Sequence, residues 1–410
     1  MSLLKKIAAT AAVVAAAGTL VATEAQATEG YFQNGVGARS KGLAGAGVAD
    51  SKDATAMTLN PAGLVHAGRQ FNGSISIFMP FREYNATAGA GGSVVPGSQK
   101  SDRNIFPVPN IAYSHPIDDT TTLGFSISGN GGMNTTYKSP GPFGGGKTGV
   151  DLTQMNISAG IAKRLGKYMS VGVAPIFALQ RFKATGLAPL AGFSSDPANL
   201  TNRGYDYSFG GGVRFGVEFA PSDRIRIGAS YQSRLLMSKL DKYAGLFAEH
   251  GDFDVPSNFQ VGVAFDVTPD LTLMADYRYI NYSEIKSVNN PNPLGPLGTN
   301  AGSGFGWKDV QTIKFGAEYN ATEDLTLRAG YSYNNSPIKS SQVMFNILVP
   351  ATLKHHITGG ASYKYSANSE LEFAAMFAPS VSVTGPTGGA QVATIKMHQF
   401  ELTAGYNYHW

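Results

Sequence analysis

One string in the sequence matches the pattern of a phosphate-binding loop. The residues GPFGGGKT at 141–148 carry the glycines, lysine and threonine that hold nucleotide phosphates in such loops. A phosphate-binding loop has to join a buried strand to a helix, but residues 151–160 alternate between polar and apolar side chains as a strand does. The context argues against nucleotide binding, and we predict that this string lies in a loop outside the cell.

Histidine and serine side chains supply the next candidates for chemistry. His355 and His356 are neighbours, so on a strand they point to opposite faces and cannot chelate one metal ion. Ser362 and His398 are the best combination for a nucleophile and its base, which keeps a lipid-modifying enzyme as a lesser alternative. The chain has no cysteine, so disulfides and thiolate metal sites are excluded. We predict no enzyme activity, no metal site and no cofactor.

Two long connectors, 184–204 and 240–253, contain large apolar side chains although their composition is that of loops. These side chains are Leu187, Leu190, Phe193, Tyr243, Leu246 and Phe247. Apolar clusters on exposed loops need a reason. Either the two loops bind a hydrophobic ligand, or they pack against each other and cap the structure. The sequence leaves both possibilities open.

The strands that must position these residues are predicted from an alternation of apolar and polar side chains. In the last segment, apolar Phe400, Leu402 and Ala404 alternate with polar Glu401 and Thr403. Similar segments recur from about Phe71 onward, and a period of two indicates strands. We count fourteen of them, joined alternately by tight turns and by long loops. This pattern predicts an all-β fold, a 14-stranded antiparallel transmembrane β-barrel.

Composition supports this prediction. The chain has 50 Gly, 19 Tyr and 23 Phe, and only 15% of its residues are charged, which is typical of many strands joined by turns. Tyrosines at strand ends suit the aromatic girdle at a membrane interface. The formal net charge is +4 without a run of like charges, so nucleic acid is not an expected partner.

The N-terminal residues divide into two segments before the barrel. Lys5 and Lys6 precede an apolar stretch that ends in a small-x-small site, which predicts a cleaved signal peptide at 1–27. Residues 28–68 are rich in Ala and Gly and lack the alternation. Because fourteen strands enclose a wide lumen, this segment is predicted to fold inside it as a hatch, with the barrel at 69–410.

Basic side chains on the polar faces of the predicted strands would point into the lumen. They are Arg226, Arg278, Lys314 and Arg328. Each could bind the carboxylate of a ligand, or each could pair with a lumen acid such as Asp276 or Glu318. If all four are paired within the protein, a neutral aromatic or alkane ligand becomes the better hypothesis.

The stretch TEGYFQNGVGARSKGLAGAGVADSKDATAMTLNPAGL at 28–64 resembles the N-terminal hatch of FadL-type outer-membrane long-chain fatty acid transporters. Its most specific part is the stretch from Asn60 to Leu64, in which Asn60, Pro61, Ala62 and Gly63 are the candidate hatch residues. Further similar stretches lie at 255–283, 306–319 and 325–338. The resemblance implies a hatch-closed barrel of fourteen strands that captures a hydrophobic molecule near the two outer loops. It also implies sideways release of that molecule where the third strand kinks inward.

The third predicted strand, 120–138, contains an interruption of its alternation. The interrupting residues are Ser128, Gly129, Asn130, Gly131 and Gly132. Glycines inside a strand mark a bulge, a bend or a close backbone approach. Either these residues kink the strand and open a lateral gate, or they begin the second outer loop early; we favour the gate.

Together these observations predict passive transport of hydrophobic compounds, fatty acids or hydrocarbons, across a bacterial outer membrane. The main alternative is a general diffusion porin, from which a hatch in the lumen would distinguish the protein. Expected partners are the ligand, outer-membrane lipid and lipopolysaccharide, and the barrel-assembly machinery. The last of these would recognise the C-terminal strand that ends at Trp410. We expect a monomer.

Overall fold

The structure is a computed structural model that describes residues 28–410. The predicted signal peptide lies outside the described residues. Within the described chain, fourteen antiparallel strands form one closed barrel in which the first strand pairs with the last, from Gln70 opposite His409 to Ala86 opposite Ala393. Closure leaves no free sheet edge and satisfies the backbone groups in lipid. The predicted fold class is confirmed.

The barrel strands follow chain order around the wall. Their bounds are β1 Gln70–Ala86, β2 Phe106–Pro116, β3 Thr121–Tyr137, β4 Thr148–Leu165, β5 Met169–Thr185, β6 Asp206–Ser222, β7 Ile225–Gln232, β8 Asn258–Thr268, β9 Leu271–Ile280, β10 Val310–Asn320, β11 Leu325–Asn334, β12 His355–Ser366, β13 Ser369–Pro386 and β14 Val392–His409. Two short strands, Gly97–Lys100 and Leu236–Met237, pair with β1 and β6. The string at 141–148 runs directly into β4 rather than into a helix.

Strand β10 shows how the alternating sequence becomes a membrane wall. Ile313 and Phe315 point outward and are 48% and 51% exposed, whereas Thr312 and Lys314 point into the lumen and are buried. Apolar side chains face out and polar side chains face in, which is the arrangement of a barrel surrounded by lipid.

The two ends of the barrel differ. Tight turns join the strands at one end, the turn end, where the start of β1 also meets the end of β14. Long connectors at the opposite loop end fold over the lumen and bury Tyr243, Phe253 and Trp307 in one apolar cluster, the cap. Short helical turns lie in these connectors at Ala188–Phe193, Pro197–Asn199, Asp241–Tyr243, Ala248–Gly251, Tyr282–Glu284, Lys286–Asn289, Ser340–Gln342 and Val343–Asn346.

The N-terminal region lies inside the barrel, as a hatch would. It contains helix α1 at Gly37–Gly42, helix α2 at Ala56–Leu59 and a 3-10 turn at Pro61–His66. Helix α1 packs against β12 to β14, and the 3-10 turn packs against β4 to β6 on the opposite side. The hatch therefore reaches across the lumen. Among residues 28–410, no helix is long and apolar enough to cross a bilayer.

Candidate functional site

The motif at 60–63 fixes the end of the hatch to the inner wall. The side-chain amide of Asn60 donates to the carbonyl oxygens of Val48, at 2.7 Å, and of Val217 on β6, at 3.1 Å. All four motif residues are buried. A Cβ atom at Gly216 would lie only 2.0 Å from the Asn60 side-chain oxygen, so β6 needs glycine at this contact. The motif is an anchor between the hatch and the wall.

Two of the predicted lumen cations hold the first residues of the hatch. The carboxylate of Glu29, fully buried, lies 2.8 Å from Arg278 and 2.6 Å from Lys314. Arg278 also donates to the carbonyl of Gln33 at 3.2 Å, and Lys314 donates to the carbonyl of Asn34 at 2.9 Å. The charges on both cations are thus engaged by the hatch.

The other two predicted cations are also paired with carboxylates. Arg226 lies 2.9 Å from Asp50 of the hatch, and Arg328 lies 2.7 Å from Glu318. Glu318 and Asp50 are both bound in turn by Arg39 of the hatch. Burial disfavours the charge on Arg39, but the two carboxylates outweigh it and raise its pKa above the ordinary value. All four predicted cations therefore have partners within the protein.

Strand β3 leaves its neighbour β2 partway along the barrel. The two strands pair from Thr122 to Ser128, whereas β2 continues to pair with β1 on its other side as far as Phe106. Just beyond, a bulge at Asn130 shifts the register between β3 and β4. Contact resumes where the backbone N–H of Asp102 donates to the carbonyl of Thr136 at 2.8 Å. In the described chain, β3 thus has a stretch of edge that β2 does not cover.

The start of the hatch occupies this edge. The backbone N–H of Gln33 donates to the carbonyl of Asn130 at 3.3 Å, and the N–H of Gly132 donates to the carbonyl of Tyr31 at 3.0 Å. A Cβ atom at Gly131 would lie 1.7 Å from the Tyr31 oxygen, so glycine is required for this approach. The predicted interruption in β3 is a bulge against which the hatch forms an isolated antiparallel bridge, from Phe32 to Gly131.

The structure brings most of the predicted loop residues together at the loop end. Leu187, Leu190, Leu246 and Phe247 line one apolar cavity under the cap. Tyr243 is buried beside it, whereas Phe193 is 69% exposed and takes no part in the lining. Both possibilities from the sequence thus remain, because these side chains pack as a cap and also enclose a cavity.

A column of aromatic rings runs from this cavity to the hatch. Phe182 and Phe247 have ring centres 4.7 Å apart, Phe247 and Phe253 are 4.8 Å apart, and Phe253 and Tyr31 are 6.0 Å apart. Tyr31 then stacks on Phe32 at 5.4 Å. Phe32 lines a second cavity, the lumen cavity, between the hatch and the inner wall beside β3. A continuous series of buried aromatic rings thus lies between the two cavities.

Tyr282, in the connector after β9, ties the column to the hatch start. Its hydroxyl donates to the carbonyl of Glu29 at 2.7 Å and accepts from the backbone N–H of Tyr31 at 3.0 Å. Burial raises the pKa of Tyr31 and of Tyr282 well above the ordinary value, so both hydroxyls stay neutral. The hydroxyl groups of the column therefore carry no charge.

The lumen cavity also contains a residue that sequence reasoning missed. Arg214 on β6 lines it together with Arg278. Its position on the polar face of an alternating segment predicts that it points into the lumen, because side chains on a strand alternate between the two faces. The other four lumen cations were predicted in the same way.

The pair considered for catalysis does not form. Ser362 lies inside the lumen, where it contacts Arg328 and Glu372, whereas His398 stacks on Phe81 at 4.8 Å on the outer wall. The two are on opposite faces of the barrel wall. Among residues 28–410, no group of three His, Cys, Asp or Glu side chains is placed to hold a metal ion.

A lipid-facing barrel that carries its own N-terminal segment in the lumen belongs to the class of hatch-closed outer-membrane transport barrels. The model of one family, described as outer membrane protein transport protein (OMPP1/FadL/TodX), matches residues 18–406. The chain belongs to this family. It is therefore an outer-membrane protein of a transport family and not an enzyme.

Individual relatives agree with this membership. The chain is 23% identical over 424 aligned positions to the long-chain fatty acid transport protein of Escherichia coli (strain K12), covering 91% of this chain and 93% of that protein. It is 23% identical over 323 positions to outer membrane protein P1 of Haemophilus influenzae, covering 70% and 69%.

Two solved structures have the same fold. The toluene transporter TodX of P. putida matches with a TM-score of 0.69 at 18% identity, covering 92% of this chain and 99% of that one. A FadL homologue of Pseudomonas aeruginosa matches with a TM-score of 0.70 at 16% identity and the same coverage.

Proposed function

We propose that the protein carries fatty acids or hydrocarbons passively across the outer membrane and releases them sideways at β3. The names of the relatives, which include a fatty acid transport protein and a toluene transporter, support this range of ligands. The observation that carries the proposal is the edge of β3 between Ser128 and Thr136, which pairs with the start of the hatch instead of with β2.

The loop end is outermost in this proposal. An apolar ligand enters the cavity lined by Leu187, Leu190, Leu246 and Phe247, and then moves along the aromatic column toward Phe32. Displacement of the hatch start from β3 opens the wall to the bilayer. Direct passage into lipid avoids rehydrating the apolar surface in the periplasm, where hydration is unfavourable.

The charges in the lumen limit how a ligand is held. Arg226, Arg278, Lys314 and Arg328 are each bound to a carboxylate, so none of them is offered to an anionic head group. As far as these four are concerned, a neutral ligand is favoured. An ionic contact to a ligand has to come from another residue.

Lipid, lipopolysaccharide, the assembly machinery and the monomeric state stay predictions. Trp410, which would mark the last strand for assembly, is exposed at the turn end with the guanidinium of Arg69 4.8 Å from its ring centre. This position leaves its ring accessible beside β14.

A reversible cross-link tests lateral release, because the natural chain has no cysteine to interfere. The side-chain nitrogen of Gln33 donates to the carbonyl of Gly129, so cysteines at these two positions lie within reach of a short bis-methanethiosulfonate linker, which would join the hatch start to β3 in Gln33→Cys with Gly129→Cys. We expect uptake of oleate and of toluene by cells to fall to background when the pair is cross-linked, and to return when the linker is removed by reduction.

The control cross-link joins the body of the hatch to the wall elsewhere. A Cβ atom at Gly405 would lie 3.4 Å from that of Ala38, close to disulfide geometry. The pair Ala38→Cys with Gly405→Cys should leave uptake unchanged when oxidised. Undiminished uptake with the first pair closed would refute release at β3, and loss with both pairs would mean that the whole hatch has to move.

A further inference from the structure

Two basic side chains lie on the outer wall where β5 reaches the loop end. Phe177 is 49% exposed on this wall, and because side chains on a strand alternate between its two faces, Arg181 and Lys183 share its face. The face is apolar from Phe177 to Leu179, and the two cations follow just before the strand ends at Thr185. They therefore lie at the boundary between the lipid-facing wall and the loop end.

The neighbouring strand has the same boundary. On β6, Tyr207 lies directly opposite Arg181, and Phe209 lies directly opposite Leu179. The side chains of Tyr207 and Phe209 are 56% and 53% exposed on the outer wall. Tyrosine is enriched at the membrane–water interface, with apolar side chains on the lipid side of it. Arg181 thus lies at the level of the interface.

One tyrosine ring holds the two cations close to each other. The guanidinium of Arg181 lies 4.8 Å from the ring centre of Tyr205, and the ammonium of Lys183 lies 4.5 Å from the same centre. Burial and a hydrogen bond from its hydroxyl to Asp151 raise the pKa of Tyr205, so the ring stays neutral. Two like charges beside one neutral ring repel each other, and an anion bound between them reduces that repulsion.

A third cation comes from the connector before β2. Arg103 lies 3.2 Å from the carboxylate of Asp151 on β4, and Asp151 lies directly opposite Lys183. The carboxylate of Asp151 is buried and already accepts from Tyr205 at 2.7 Å. We call Arg103, Arg181, Lys183, Tyr205 and Asp151 the basic cluster. With three cations and one carboxylate, the cluster has an excess of positive charge on the outer wall.

A cation elsewhere on the outer wall is neutralised within the protein. Lys396, near the loop end of β14, lies 3.3 Å from the carboxylate of Glu83 on the paired strand β1. Both side chains are partly exposed, as Arg181 and Lys183 are. The excess of positive charge at the basic cluster is therefore a local feature and not a general property of this level of the barrel.

We propose that the basic cluster binds a phosphate group of lipopolysaccharide in the outer leaflet, with the acyl chains of that lipid against Phe177 and Phe209. This inference rests on the orientation given in the proposed function, with the loop end outermost. Phosphate oxygens accept strong hydrogen bonds from guanidinium and ammonium groups. Each basic side chain near a membrane surface also adds to the attraction for an anionic lipid.

A matched pair of lipids tests the proposal. Lipid A carrying both phosphates and the same lipid with both phosphates removed have identical acyl chains, and native mass spectrometry of the purified, delipidated protein measures the binding of each. We expect the natural protein to prefer the phosphorylated lipid. Lys183→Gln should weaken its binding by about fivefold, and Arg181→Gln with Lys183→Gln by about tenfold or more. Binding of the dephosphorylated lipid should not change.

A control variant and a competitor make the test specific. Lys396→Gln removes a cation of the outer wall that is paired with Glu83, so it should leave the binding of both lipids unchanged. Inorganic phosphate at millimolar concentration should not displace the phosphorylated lipid, because it makes no contact with the apolar wall. Displacement by inorganic phosphate would show a site for the ion alone and would overturn the assignment to a lipid.

The outcomes separate this proposal from that of transport. Equal binding of the phosphorylated lipid by the natural protein and by the double variant would overturn the site, and so would equal binding of the two lipids by the natural protein. The double variant should take up oleate and toluene as the natural protein does. A natural protein that prefers the phosphorylated lipid but carries neither compound would contradict the transport proposal and support the lipid site.

Discussion

The cap and the hatch both close the barrel, but they differ in the balance of forces that hold them. The cap buries large apolar rings such as Tyr243, Phe253 and Trp307 under the connectors at the loop end, and its ion pairs are partly exposed. The hatch buries only small apolar clusters against the wall, and buried ion pairs hold it there, for example Arg39 with Glu318 and Glu29 with Lys314. Apolar packing is non-directional, whereas charged hydrogen bonds fix one geometry.

This difference suggests that the cap and the hatch respond differently to a ligand. A cap held by apolar contact can exchange its own contacts for those of an apolar ligand at little cost, since both environments exclude water. A hatch held by ion pairs resists displacement until something replaces its contacts. The start of the hatch combines both features, because Tyr31 belongs to the aromatic column and Glu29 to the ion pairs.

The largest expected effect comes from the ion pairs of the hatch start. Glu29→Gln leaves Lys314 and Arg278 buried without a carboxylate, and removal of one partner from a buried pair costs about 3–5 kcal/mol. We expect faster hydrogen exchange of the amides at 29–34 and more frequent channel openings in planar bilayers. Glu83→Gln, which removes a half-exposed partner of Lys396, should change neither. Unchanged exchange at 29–34 in Glu29→Gln would show that apolar contacts hold the hatch start.

A smaller effect is expected from an apolar truncation in the cap. Leu187 is fully buried and lines the apolar cavity under the cap, and Leu→Ala at such a site costs about 2–5 kcal/mol. Part of that cost should be recovered when a hydrophobic ligand fills the enlarged cavity. Leu187→Ala should therefore speed hydrogen exchange at 184–204, slow it again on addition of decanol, and leave residues 29–34 unaffected. Spread of the effect to 29–34 would mean that the cap and the hatch open as one unit.

The barrel could be predicted from the sequence because a period of two is a local signal. The ends of the strands are harder to predict, because the alternation does not mark where strands such as β7 and β9 stop, which they do at Gln232 and Ile280. Past Ile280 the chain forms a 3-10 turn that places Tyr282 under the cap, a packing preference that the alternation does not encode.

The partners of the site residues could not be predicted in the same way. The glycines of β3 stood out as an interruption, but their contact with Tyr31 joins residues about a hundred positions apart in sequence. The four lumen cations were found from strand faces, and their pairing with Glu29 and Asp50 depends on how the hatch sits in the lumen. Only the folded chain shows that Arg214 is left with neutral partners.

A third prediction concerns pH and the cap. Burial, together with the nearby carboxylate of Asp254, raises the pKa of Asp252 to about 6, although Arg234 and Lys239 oppose the shift and Glu249 adds to it. The folded state holds this proton more tightly than the unfolded state, so its contribution is present at low pH and is lost as pH rises from about 4 through 6. After allowance for solvent screening, we expect the cap to lose about 1 kcal/mol over this range.

Hydrogen exchange at 241–256, corrected for the intrinsic pH dependence of exchange, measures this loss. Asp252→Asn should remove the dependence and keep the cap at its low-pH stability. Increased protection of the cap in the natural protein between pH 4 and 7 would reverse the sign and contradict the assignment to Asp252.

The smallest effect on stability is expected at Phe193, the one predicted capture residue that stays outside the cap. Its ring is 69% exposed, so Phe193→Ala should change cap stability by less than about 0.5 kcal/mol. If the exposed ring makes the first contact with ligand, the variant should slow uptake at low ligand concentration and leave the maximal rate unchanged. Uptake kinetics equal to those of the natural protein at every concentration would restrict capture to the buried side chains that line the cavity.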